Sequence, residues 1–188
     1  MPSVQLLAWP VLWRAWADLF SGAEDRQQEE RTMQSFSVVH AVHMGMVVGN
    51  LEWTVPFFQD VFGFELIDTS PREVERQSFI TGVEGAQAVI SYMQAPGLLL
   101  EIVQYSGPAD RVHHRPEMVE VGHYHICLLV DDIDAAIATC KGYDDKISFL
   151  SPSPMEVDSG PNKGNKVIVM RLPDGVMLEL ISHPKKKV

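Results

Sequence analysis

The chain carries two diverged copies of one pattern, so any fold it adopts has to build the same module twice. HMGMVVGNLEWTV, beginning at His43, lies over HICLLVDDIDAAI, beginning at His125. Each stretch reads as a histidine, an alternating apolar run, a polar pair and then an apolar-periodic segment. GLLLEIVQY, around Glu101, lies over GVMLELISH, around Glu179. The first match is offset by 82 residues and the second by 78, a difference that one loop absorbs. The repeat predicts a first module at 37–109 and a second at 120–184, joined by a loop over 110–119.

Within each copy the patterning predicts a strand entering a helix, with Asn50 and Asp132 as N-caps. In the first copy the strand lies near 40–48 and the helix near 51–62. Strands near 64–68, 75–81, 86–94 and 98–105 follow. Pro56 is a blemish in that helix, tolerable only near its first turn. In the second copy a strand near 123–130 leads into a helix near 132–141, then strands near 147–150, 166–172 and 176–182. Gly97 and Asp174-Gly175 stand where tight turns feed the last strand of each copy. Few helices and many strands predict an α+β fold with mainly antiparallel sheet.

Composition narrows the class of protein. Of 188 residues, 46 % are hydrophobic and 21 % charged, which is globular composition rather than that of a disordered chain. Asp plus Glu number 25 against 15 Lys plus Arg, a net charge of -10, which repels a phosphate backbone and argues against nucleic acid as a partner. The only basic run, Lys185 to Lys187 within 185–188, reads as a solvated tail. Two cysteines, Cys127 and Cys140, make neither a disulfide framework nor a CxxC zinc pattern, and reduced thiols in the cytoplasm are expected. No apolar run reaches the roughly 18 residues of a membrane span. Residues 1–36 read as a leader or linker. Leu6, Leu7, Trp9, Leu12, Trp13, Trp16 and Phe20 recur at loosely helical spacing, broken by Pro10, without the basic start of a secretory signal. The alternatives are an amphipathic segment that docks on a partner subunit or a membrane surface, and a natural start at Met33.

Two glutamates stand out because each lies inside an otherwise apolar strand. Leu98 to Leu100 precede Glu101, and Val176 to Leu178 precede Glu179. One such acid is ordinarily a solvent-facing residue on a sheet edge. Two at matching positions of a repeat, each with a histidine on the first strand of its copy, make a set of two imidazoles and two carboxylates. Related by a pseudo-two-fold axis, His43, Glu101, His125 and Glu179 would converge on one point. That donor set suits a divalent transition metal with positions open for water or substrate.

These stretches resemble the vicinal oxygen chelate superfamily, which includes glyoxalase I, methylmalonyl-CoA epimerase, extradiol dioxygenases, fosfomycin-modifying enzymes and bleomycin-binding proteins. The resemblance rests on VHMGMVVGNLEWTVPFFQDVFGFEL, LLLEIVQY, GHYHICLLVDDIDAA, GPNKGNKV and LPDGVMLELI, and spans about residues 38 to 183. It implies two βαββββ-type modules forming a cupped, mostly antiparallel sheet around one divalent metal ion (Ni, Co, Zn, Mn or Fe). The family's metal positions fall on His43, Glu101, His125 and Glu179. His123 shares strand parity with His125 and is a rival ligand. Modules of this kind pair across subunits, so a homodimer is expected.

Within the superfamily, the four-ligand set looks most like bacterial glyoxalase I. Extradiol dioxygenases lack the second-position acid that Glu101 supplies, and methylmalonyl-CoA epimerase typically has glutamine there. The resemblance implies a lyase or isomerase that moves a proton next to a metal-bound carbonyl or enolate oxygen of a small molecule, with Glu101 and Glu179 as catalytic acids and Glu179 favoured as the base. Two departures argue against a glutathione adduct. Glyoxalase I has arginine four residues after its first ligand and asparagine four after its second, where this chain has Val47 and Tyr105. Other candidates for contact with substrate are Tyr105, Tyr124, the loop residues His113, His114 and Arg115, Cys127, and Asn162 in a Gly160–Gly164 loop. Each has a bland counterpart: solvated linker for the loop residues, packing for Cys127, flexible turn for Asn162. The rival functions are an extradiol-type dioxygenase and a non-catalytic small-molecule-binding protein like the bleomycin-resistance members.

Overall fold

The computed structural model describes residues 36–184. The leader up to residue 35 and the basic tail from 185 lie outside the described residues. The chain divides into two compact units, Met1–Ala41 and Val42–Val188. In the first, residues 36–41 carry neither helix nor strand. The second holds every element described below.

The first sheet contains β1 (Met44–Val47), β2 (Glu65–Arg72), β3 (Gln87–Ala95) and β4 (Leu98–Gly107), in the order β1-β4-β3-β2. The second contains β5 (Ile126–Leu129), β6 (Ser148–Phe149), β8 (Lys166–Arg171) and β9 (Met177–Ser182), in the order β5-β9-β8-β6, with β7 (Met155–Glu156) paired to β8. Each sheet places its first strand parallel to its last, β1 on β4 and β5 on β9, and its other pairs are antiparallel. The repeat in the sequence is therefore a repeat in strand pairing. Among the described residues there are three helices, α1 (Leu51–Phe62), α2 (Val74–Thr81) and α3 (Ile133–Tyr143).

Local chemistry sets the helix ends. The Asn50 side chain accepts the Trp53 N–H, and Gly63, at φ 68°, closes α1 by donating to Gln59 and Phe58 carbonyls. Asp132 caps α3 by accepting from Asp134 and Ala135. Pro56 removes one donor from the second turn of α1, yet the helix runs on to Phe62, held by the burial of Leu51, Val55, Phe57 and Phe58. Each large side chain of that stripe contributes roughly 1.5–3 kcal/mol through its removal from water.

The segment 75–81, expected as a strand, is instead α2. Glu75, Arg76 and Gln77 favour helix, the run lacks an alternating apolar face, and Gly82 at φ 69° ends it by donating to the Ser78 carbonyl. Phe79 and Ile80 point to solvent, while Gln77 is buried.

One core joins the two modules. Phe57, Phe58, Leu100 and Ile102 of the first meet Ile133, Cys140, Leu178 and Leu180 of the second. Between α1 and α3, Trp53 stacks on Phe57 at 4.9 Å and meets Tyr143 edge-on at 6.0 Å. The Trp53 indole N–H donates to Asp144 Oδ2 at 2.7 Å, and the Gly49 N–H donates to Asp174 Oδ2 at 2.9 Å.

Candidate functional site

In an alternating strand, the residues that do not enter the core share the opposite face. Leu100 and Ile102 are buried beneath α1, so Glu101 and Val103 lie on the other side of β4. Glu101 pairs with Gly45 on β1 and with Tyr92 on β3. Glu179 on β9 occupies the same place, paired with Cys127 on β5 and Val169 on β8.

His43 precedes β1 by one residue and His125 precedes β5 by one residue. His43 Nε2 lies 3.3 Å from Glu101 Oε2, and His125 Nε2 lies 3.1 Å from Glu179 Oε2. The two pairs are also alike in exposure, 36 % and 20 % for the side chains of the first and 33 % and 19 % for the second. They are equivalent sites in sequence, register and exposure.

Their further partners differ. Tyr92 donates its O–H to Glu101 Oε1 at 2.5 Å, and its ring meets His43 edge-on at 6.1 Å. That hydrogen bond, followed by burial, raises the Tyr92 pKa, since the phenol serves Glu101 better with its proton on. Glu179 Oε1 instead accepts from the Cys127 thiol at 3.1 Å. Burial first, and then this bond to Glu179, push the Cys127 thiol up to about 12, so at neutral pH it is a donor rather than a thiolate.

Imidazole nitrogen and carboxylate oxygen are donor types that a divalent transition metal accepts. One pair offers two donors, fewer than the three or four protein ligands such a site uses. Among the described residues no three of His, Cys, Asp and Glu come together to hold a metal. His43, Glu101, His125 and Glu179, expected to converge on one point, instead stand as two separate pairs within the described residues. His123 stacks on His125 with ring centroids 5.7 Å apart, and its buried Nε2 has no partner.

Tyr105 leaves β4 on the same face as Glu101 and packs with Ala88, Ile90 and Val103. Its hydroxyl accepts from Gln77 Nε2 at 3.0 Å, which explains the burial of that glutamine. Tyr105, His113, His114 and Arg115 line a cavity of about 660 Å³. His114 also lines a smaller one of about 150 Å³ with His123, Tyr124 and His125. Cys127 borders neither cavity and reaches the site through Glu179. Asn162 borders neither cavity and sits in a turn, its carbonyl accepting the Asn165 N–H at 3.0 Å. Tyr92 and Arg111 escaped the reading of the sequence. Tyr92 was legible from the turn at Gly97, whose hairpin register pairs Ala95 with Leu98 and hence Tyr92 with Glu101.

Residues 40–180 match the family described as the Glyoxalase/Bleomycin resistance protein/Dioxygenase superfamily. A 2-epi-5-epi-valiolone epimerase from Actinomyces sp is 27 % identical over 146 residues, covering 76 % of this chain and 78 % of the relative. A lactoylglutathione lyase from Haemophilus influenzae is 25 % identical over 148 residues, covering 78 % of this chain and 94 % of the relative. The crystal structure of a glyoxalase family protein from Bacillus cereus superposes with a TM-score of 0.67 at 18 % identity, over 80 % of this chain and 97 % of the other.

Proposed function

Since the chain belongs to the glyoxalase/bleomycin resistance protein/dioxygenase superfamily, we propose that it is a metal-dependent lyase or isomerase that moves a proton on the carbon next to a carbonyl or enolate oxygen of a small molecule. The observation that carries this reading is the pair of His–Glu contacts at matching register positions, 3.3 and 3.1 Å long. Relatives named as an epimerase and a lyase support the same class of chemistry.

A divalent metal held by His43, Glu101, His125 and Glu179 would supply Lewis-acid stabilisation of the charge that develops on that oxygen. Because each pair is half a ligand set, we assign the complete site to a homodimer. His43 and Glu101 of one copy face His125 and Glu179 of the second. Glu179 is the base: its Oε1 meets only the weak Cys127 thiol donor, whereas Glu101 Oε1 is engaged by the Tyr92 hydroxyl. Tyr92 holds Glu101 in place. Val47 and Tyr105 stand where glyoxalase I carries its arginine and asparagine, and an apolar and a phenolic side chain at those two positions support a substrate other than a glutathione adduct. We assign the protein to the cytoplasm, a reading that its two unpaired cysteines support.

Metal analysis of the purified chain tests the reading. The parent should carry about one ion per site, and His43→Ala and Glu179→Ala should each empty most of it while melting as the parent does. Full metal content in both variants would overturn the ligand set.

A further inference from the structure

The 660 Å³ cavity has an unusual charge for so acidic a protein. Arg111, His113, His114 and Arg115 all line it, on the loop between the two modules. Asp174 is the one carboxylate among its lining residues, and both its oxygens are engaged, Oδ2 by the Gly49 N–H at 2.9 Å and Oδ1 by the Val176 N–H at 3.3 Å. Two guanidiniums therefore face one occupied carboxylate. Neither arginine forms a salt bridge among the described residues.

Both arginines are held in place. Arg111 Nη1 donates to the carbonyls of Ser106 and Pro108, each at 3.3 Å, which leaves its Nε–Nη2 edge for a ligand. The stem of Arg115 lies against Gly175, so close that a Cβ there would meet Arg115 Cγ at 2.8 Å. The rest of the wall is largely apolar, with Val47, Val48, Val83 and Val112.

The geometry points to this cavity as the seat of a small molecule with an apolar body and an anionic end, a carboxylate or a phosphate, bound by Arg111 and Arg115. It rests on the proposed function, because it names the substrate class for that same site. Val47 and Tyr105 each stand four residues beyond His43 and Glu101 on neighbouring parallel strands. Four residues of strand span about 13 Å and return to the same face. The Val47–Tyr105 wall of the cavity therefore lies about that far along the strand face from the His43–Glu101 pair.

The test uses three matched probes, 2-naphthylacetate, 2-naphthyl phosphate and the neutral 2-naphthylacetamide, titrated calorimetrically into the full chain as purified. Charge-assisted hydrogen bonds should favour at least one anion over the amide by about tenfold or more, with the preference falling as salt is added. Whichever anion binds more tightly identifies the end group. Arg111→Gln/Arg115→Gln should bring anion and amide to similar affinities without weakening the amide. Should loss of the Arg111 loop contacts unfold that variant, Arg115→Gln alone and the salt dependence of the parent give the answer. Equal binding of all three probes, no binding of any, or an anion preference that survives the substitutions overturns the proposal. Metal content is measured on the same sample: metal without anion preference sinks this pocket alone, and anion preference without metal sinks the proposed chemistry alone.

Discussion

Tyr92 donates its hydroxyl to Glu101 across a β3–β4 pair, whereas Val169 stands opposite Glu179 at the matching β8–β9 position. Two carboxylates that a repeat makes equivalent are thereby given unequal partners. Besides its histidine, one meets a hydroxyl donor and the other a thiol.

That inequality predicts a division of labour. Glu179→Gln keeps an oxygen of similar shape but no base, so turnover should fall by about 10²–10⁴. Glu101→Gln should cost less in turnover than in metal retention. Solvent deuterium incorporation next to the substrate carbonyl reads the proton step directly. Parental exchange rates in both variants would remove the acids from that step.

Tyr92→Phe tests the positioning of Glu101. The ring stays and the donor goes, so the fold should be unchanged. Metal affinity should weaken by about 10–100-fold, the usual cost of losing a group that orients a ligand. A chelator competition titration measures it, and an unaltered affinity would mean that Tyr92 does not position the acid.

A site shared between copies makes a prediction that a site within one chain cannot. His43→Ala/Glu101→Ala and His125→Ala/Glu179→Ala should each be empty of metal. When the two inactive proteins are unfolded together and refolded, half the dimers are mixed and each mixed dimer regains one intact site. Metal and activity should return to about a quarter of the parent. No recovery, with mixed dimers present, would place the ligand set elsewhere.

Acid sensitivity should report the link between the modules. Asp144 is held below the ordinary carboxylate range, first by the Lys146 N–H and also by the Trp53 indole. A lowered folded pKa gives stability above the unfolded value of 3.8, and that stability is lost as pH falls through the folded value. Asp144→Ala should therefore melt below the parent at neutral pH, and the two should converge as pH drops beneath about 3.8. A gap that persists in acid would assign the loss to packing.

The repeat made the strands other than β7, both α1 and α3, and the paired recurrence of His43, Glu101, His125 and Glu179 legible, because at matching places a histidine precedes and a glutamate interrupts an apolar run. It misled over 75–81, expected as a strand but helical, with Phe79 and Ile80 exposed. It was silent on how the pairs meet. Similarity between copies fixes pairing inside each sheet, but which module faces which depends on packing between α1 and α3. There Trp53, Phe57 and Tyr143 meet, and no repeat encodes that contact. The cationic cavity was half legible. His113, His114 and Arg115 stood out as a loop cluster, whereas Arg111 acquires its place only when the turn after β4 folds back on Ser106 and Pro108.

The shared register gives each half of the chain an internal control. Exchanging Tyr92 and Val169 between their strands would leave composition, length and net charge untouched, yet would carry the phenol from one acid to the other. After duplication, two such cross-strand substitutions are what would hand the proposed role of base from one copy to its twin. The proposed ligands could stay invariant while that role moved between them.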